Sequence, residues 1–189
     1  MQKIILASQS PRRKQLLELA QINFEVFTVE TDESFPEGLT FEETAIHIAK
    51  NKAIAVNNKF QDCVIIAADT VVISDKKITG KPNGREDAIY ILQSLSGNTH
   101  QVITGVAIIY NDELLEFSET TSVSFNNISL EQIVYYVDKF KPFDKAGAYA
   151  IQEWIGAIGI NSIKGDFYNV MGLPVNKVYK ALRELGIIK

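Results

Sequence analysis

Two hydroxyls and two guanidinium groups stand together in Ser8-Gln9-Ser10-Pro11-Arg12-Arg13, directly after the apolar run Ile4-Ile5-Leu6-Ala7. Proline suits the first position of a helix, where its missing N–H would find no partner anyway. The free backbone N–H groups and the positive end of the helix dipole favour an anion at such a point. Arginine adds planar, paired donors that match phosphate oxygens. Taken alone, the same residues also read as a Ser-Pro helix cap followed by two solvated arginines.

Asp69 interrupts residues 64–73, a run otherwise apolar or small apart from Thr70. A strand buried on both faces rejects a carboxylate unless it is paired or bound to metal. The competing reading is a strand-end aspartate capping a loop. Lys52 falls on the inward stripe that Ala45, Ile48, Ala49 and Val56 define on a helix opening at Thr40. A lysine there either snorkels to the rim or enters a polar cavity. Lys81, between Gly80 and Pro82, occupies a tight turn that could approach a ligand or simply face solvent. Asp32 and Glu33 offer oxygen ligands of the kind Mg²⁺ or Mn²⁺ takes together with substrate phosphates, or form a solvated acidic loop. His47 points off the apolar stripe and His100 has no second nitrogen or sulfur ligand nearby in sequence, so neither supports zinc. P-loop, dinucleotide-fold and G-x-S-x-G signatures are absent. Cations with a few carboxylates remain, a set suited to metal-assisted attack on a polyphosphate.

The elements that position these groups follow from the hydropathy pattern. A buried strand is expected over residues 3–7 and a helix over 11–21, with Leu16, Leu17 and Ala20 inward. A strand follows at 24–29. Thr40 with Glu43 forms a capping box opening a helix to about residue 58. One long strand at 64–73 turns at Asp75-Lys76-Lys77 into a short return strand ending at Gly80-Lys81-Pro82. Asn83 with Glu86 marks the next helix, ending near Gly97, and two antiparallel strands at 101–110 and 114–125 join around Asn111-Asp112. Ser129 with Gln132 opens a helix carrying Ile133 and Val137. A turn through 144–148, a strand near 158–163, a break at Gly165-Asp166 and a last helix from Leu173-Pro174 to Gly186 complete the chain. The expected class is α/β with a mixed sheet.

At 189 residues the chain suits one domain, or two closely packed lobes. Its 46% hydrophobic and 22% charged residues are ordinary for a soluble protein. The net charge of -4 argues against a general nucleic-acid-binding surface. Cys63 is the only cysteine, which excludes an internal disulfide and suits a reducing compartment; beside an apolar run, it reads as a small core residue. No signal-peptide pattern opens the chain, and no apolar run approaches the roughly 20 residues that span a bilayer. A cytoplasmic protein with no membrane partner is the expectation.

Six segments in register resemble the Maf family of nucleoside triphosphate pyrophosphatases, often named septum-formation inhibitors. They are residues 6–13 (LASQSPRR), 68–72 (ADTVV), 80–82 (GKP), 96–102 (SGNTHQV), 144–149 (DKAGAY) with Ile151-Gln152, and 169–174 (NVMGLP). The resemblance implies a mixed, elongated sheet flanked by helices in two lobes around a central cleft, like inosine triphosphate pyrophosphatases. It implies hydrolysis of dTTP or UTP to the monophosphate and pyrophosphate with a divalent cation. Carried over by position, Asp69 would accept the proton of the attacking water, and Ser8, Arg13, Lys52 and Lys81 would hold the phosphates. Glu33, with Asp69, would bind metal. Arg12, Thr70 and Gln152 match the dTTP/UTP pattern rather than that for 7-methyl-GTP, and the Gln152 amide can complement thymine or uracil. A homodimer is also implied. The alternatives are the 7-methyl-GTP subtype and a non-catalytic nucleotide-binding regulator of cell division that works through a protein partner. Two segments depart from the family pattern: Lys141 where an acidic residue is usual, and Glu153-Trp154 where small residues follow the glutamine.

Overall fold

Residues with apolar side chains on both faces can only sit between other strands and helices, and β1 (Lys3–Leu6) and β3 (Cys63–Ser74) are of this kind. They run parallel, Ile5 opposite Ile65 and Leu6 opposite Ile66. The computed structural model describes residues 2–60, 62–111 and 113–189. Among them, seven strands form one sheet in the order β2-β1-β3-β5-β6-β7, with β4 (Lys77–Thr79) paired to β3. The remaining strands are β2 (Glu25–Val26), β5 (Thr99–Tyr110), β6 (Glu113–Phe125) and β7 (Ile160–Lys164). β1 pairs parallel with β2, while β4 and β7 pair antiparallel with β3 and β6. The mixed sheet expected from the sequence is thus present.

The helices are α1 (Pro11–Leu19), α2 (Phe41–Asn57), α3 (Arg85–Leu95), α4 (Leu130–Phe140), α5 (Trp154–Gly159), α6 (Phe167–Met171) and α7 (Val175–Glu184) among the described residues. Two of the three expected capping boxes are formed: Thr40 and Ser129 each accept the N–H of the third helical residue, whose side chain accepts the cap's own N–H. The third expected box is not. α3 begins one residue late, capped by Gly84 with φ +95°, and the Asn83 N–H goes to Asp87 Oδ2 at 2.7 Å instead. β2 is shorter than the expected 24–29 strand, and its two residues are exposed. Residues 158–159, read as strand, close α5 instead, and the short α6 stands where only a chain break was expected. Asp112, in the turn expected at Asn111-Asp112, lies outside the described residues.

The chain divides into two compact units: Met1–Thr70 with Thr104–Glu119 and Gly172–Lys189, and Val71–Ile103 with Thr120–Met171. In the first unit, Ile5, Ala7, Ala49, Ala53, Val56, Ile65, Ala67, Ala107 and Ile109 form a core cluster, with Cys63 packed against it. The alanines let α2 lie close on the sheet. Gly105 shows how close, since a Cβ there would fall 2.3 Å from the backbone of Ala45 and Ile46. In the second unit, α3 packs on α4, burying Leu92, Leu95, Ile133 and Val137. His100, Phe125 and Tyr149 make a mutual edge-to-face cluster there, centroids 5.0–5.4 Å apart. No described helix is long and apolar enough to cross a membrane.

Candidate active site

β1 ends at Leu6, Ala7 bonds on to the Ile66 carbonyl at 2.8 Å, and the chain then turns into α1 with Pro11 in its first turn. Sites in open α/β sheets form beyond the carboxyl ends of such strands. Ser10 is the N-cap, but its side chain makes no capping bond. Ser8 is the organising hydroxyl: its Oγ accepts the Ser10 N–H at 3.2 Å and Arg13 Nη1–H at 3.1 Å. Arg13 also donates from Nε to the Gly172 carbonyl at 2.8 Å and from Nη2 to Thr70 Oγ1 at 3.1 Å. Gly172 presents that carbonyl from φ +116°, a conformation that suits glycine. A guanidinium held at three nitrogens is oriented before any ligand arrives. Burial pulls the Arg13 pKa down, Asp69 opposes this, Arg12 adds to the lowering and Glu33 opposes it. A guanidinium keeps its charge through such a shift.

The second cluster centres on Lys52. Its ammonium donates to Asp69 Oδ1 at 2.6 Å and lies 2.7 Å from Glu33 Oε1. The expected alternatives for Lys52 were the rim or a polar cavity, and it takes the polar one, its side chain 17% exposed. Asp69 is 15% exposed, so this pair gives up most of its hydration, and only close pairing offsets a cost of several kcal/mol per ion. Glu33, at 53% exposure, closes the trio from the solvent side. Two carboxylate oxygens from separate segments thus converge on one point, and these hard donors suit Mg²⁺ or Mn²⁺. Among the described residues there is no group of three or more His, Cys, Asp or Glu that could hold a metal. A cation here would need phosphate oxygens to complete its shell. Asp32, the other acidic candidate, instead accepts two bonds from Ser34.

Ser8, Arg13, Thr70, Glu33, Lys52 and Asp69 therefore gather in the first unit, with Arg12 half-buried and near enough to act on Arg13. Lys81 and Gln152 belong to the second unit, and both are exposed. Lys81 follows Gly80, whose carbonyl accepts the Gly147 N–H at 3.1 Å. Gln152 precedes Glu153, one of the departures noted above. The Glu153 carboxylate accepts from Tyr136 Oη–H and lies 3.6 Å from the buried Lys145 ammonium, which also bonds Asp144 at 2.8 Å. Lys141, the other departure, caps α4 in the left-handed region at φ +47°. His100 bonds Tyr149 at 2.7 Å.

Sequence reasoning missed Thr104, whose hydroxyl lies 2.9 Å from that of Thr70. A lone threonine in a strand carries no signal by itself.

A family model described as Maf-like protein matches residues 3–185. A "dTTP/UTP pyrophosphatase" of Cytophaga hutchinsonii is 50% identical over 96% of this chain and 84% of its own length. One from Porphyromonas gingivalis is 48% identical over 97% and 94%. Among solved structures, a HAM1 protein from Coxiella burnetii (TM-score 0.52, 17% identity) covers 97% of this chain and all of its own. The Staphylococcus aureus Ham1 protein (TM-score 0.53, 19% identity) has the same coverage. At such identity these two structures speak for the fold alone. The chain belongs to the Maf-like protein family.

Proposed function

We propose that this protein hydrolyses dTTP and UTP to the monophosphate and pyrophosphate. The observation that carries the reading is the Glu33–Lys52–Asp69 trio beside the fixed Arg13, a carboxylate within reach of cations that a polyphosphate would recruit. The relatives at 48–50% identity that bear the name dTTP/UTP pyrophosphatase support the substrate.

The chemistry follows from the charges. The triphosphate settles at the start of α1, where backbone N–H groups, Ser8, Arg12 and Arg13 face its oxygens. Those oxygens compete with Asp69 and Glu33 for the Lys52 ammonium, which releases Asp69 Oδ1 toward water. Asp69 takes a proton from that water as its oxygen forms a bond to the α-phosphorus. The bond from the α-phosphorus to the bridging oxygen breaks, and pyrophosphate leaves with the electron pair. Arg13 and Lys52 offset the charge that grows on the phosphoryl oxygens. Glu33 and Asp69 would hold a divalent cation, which when bound supplies Lewis-acid neutralisation of the phosphates. For Lys81 and Gln152, the proposed roles are those the resemblance implies, phosphate binding and base reading.

The test is pyrophosphate release from dTTP, UTP and 7-methyl-GTP with and without Mn²⁺. Turnover of the two pyrimidine nucleotides, metal-dependent and at least about tenfold faster than that of 7-methyl-GTP, is expected. Pyrophosphate from none of them would overturn the reading.

A further inference from the structure

Thr104 is fully buried in β5, yet it carries a hydroxyl in the apolar run Val102, Ile103, Val106, Ala107. Its neighbour Gly105 fixes the depth of the strand, because α2 leaves no room for a side chain there. Successive residues of a strand point to opposite faces, so Thr104 is held on the face away from α2.

The hydrogen-bond directions can be worked out. Arginine only donates, so Thr70 Oγ1 must accept from Arg13 Nη2–H. The Thr70 proton then has two acceptors in reach. The Gly172 carbonyl is at 3.5 Å and already takes Arg13 Nε–H at 2.8 Å. Thr104 Oγ1, at 2.9 Å, is the better placed. A chain of bonds therefore runs from the guanidinium through Thr70 to Thr104.

We propose that Thr104 is a positioning residue for Arg13, its buried hydroxyl holding the Thr70 rotamer and thereby the guanidinium plane that meets phosphate. The proposal rests on the reading that Arg13 binds the triphosphate. It makes Thr70 a phosphate-side group as well, so loss of either hydroxyl weakens binding of a polyphosphate whatever base it carries.

The test compares Thr104→Val and Thr104→Ser, each alone and with Arg13→Lys, by dTTP kinetics and by calorimetric binding of inorganic tripolyphosphate, which has no base. Thermal melts select variants that fold. Thr104→Val is expected to raise both the dTTP KM and the tripolyphosphate Kd about fivefold, the size of one net hydrogen bond, with kcat changed less. Thr104→Ser restores both values, and Thr104→Val adds nothing once Arg13 is lysine. Unchanged KM and Kd in Thr104→Val, or an equal loss in the Arg13→Lys background, overturns the role of Thr104. Absence of dTTP turnover in the wild type overturns the pyrophosphatase reading instead, and tripolyphosphate binding still decides on Thr104. Failure of the wild type to bind tripolyphosphate overturns the role of Thr104 in phosphate binding, while dTTP turnover alone decides the pyrophosphatase reading.

Discussion

Arg13 and Lys52 solve the same problem differently. Arg13 is tied by three hydrogen bonds to neutral oxygens, so its charge stays available to an anion. The Lys52 charge is shared between two carboxylates and reaches a ligand only by leaving them. The sequence exposed the components: Asp69 stood out against apolar neighbours, and Lys52 against an apolar helix stripe. It did not expose the pairing, because Glu33, Lys52 and Asp69 lie on separate segments, and Lys52 meets Asp69 only where Ala49, Ala53 and Val56 of α2 pack with Ile65 and Ala67 of β3. The partners of Arg13 were hidden for the same reason, the Gly172 carbonyl being 159 residues away along the chain. Gln152 offers a prediction at this scale. An amide can both donate to and accept from the pyrimidine edge, whereas a carboxylate only accepts. Gln152→Glu should therefore raise KM for dTTP and UTP by about tenfold or more, with tripolyphosphate affinity unchanged. Equal kinetics for wild type and variant would remove the amide from base reading.

Elements set the precision of these placements. α2 carries Lys52, and its start is fixed by the reciprocal Thr40–Glu43 bonds, at 3.2 Å and 2.8 Å. Thr40→Ala should cost about 1 kcal/mol and lower Tm by roughly 2–4 °C, measurable by calorimetry; an unchanged Tm would mean the cap contributes nothing. Gly105 tests the seat of the same helix. A methyl group 2.3 Å from the Ala45 backbone cannot be absorbed by a side-chain rotation. Gly105→Ala should destabilise by about 3 kcal/mol in urea unfolding, and a loss below about 1 kcal/mol would show that α2 can slide. Legibility followed length and chemistry at this scale. Long elements with a regular pattern and capping boxes could be read, as α2, β3 and α4 show. α5 could not, because its last residues, Ile158 and Gly159, run on into Ile160 of β7 and read as one strand near 158–163. α3 begins late because Gly84 adopts a positive φ that the Asn83–Glu86 pattern does not reveal.

At the scale of the whole molecule, acid stability is set in part by His100. Burial pushes its imidazole down to about 4, whereas an unfolded histidine titrates near 6.5. Above about pH 6.5 the group is neutral in both states and costs nothing. As pH falls toward 4 the unfolded chain takes a proton that the folded one refuses, so stability is lost across that window, by on the order of 3 kcal/mol. Urea midpoints at pH 7.5 and pH 4.5 should therefore lie closer together in His100→Gln than in the wild type, and an equal spacing would contradict this. The mixed sheet was legible from the hydropathy pattern and the family from six motifs that recur in order along the chain, while the segments that make up each of the two units emerged only from three-dimensional contacts. The most direct test of the catalytic claim is Asp69→Asn, assayed for pyrophosphate release from dTTP with Mn²⁺ while calorimetry follows dTTP binding to the same preparation. The predicted result is a kcat lower by about 10²–10⁴ with binding retained; wild-type turnover in Asp69→Asn would contradict it.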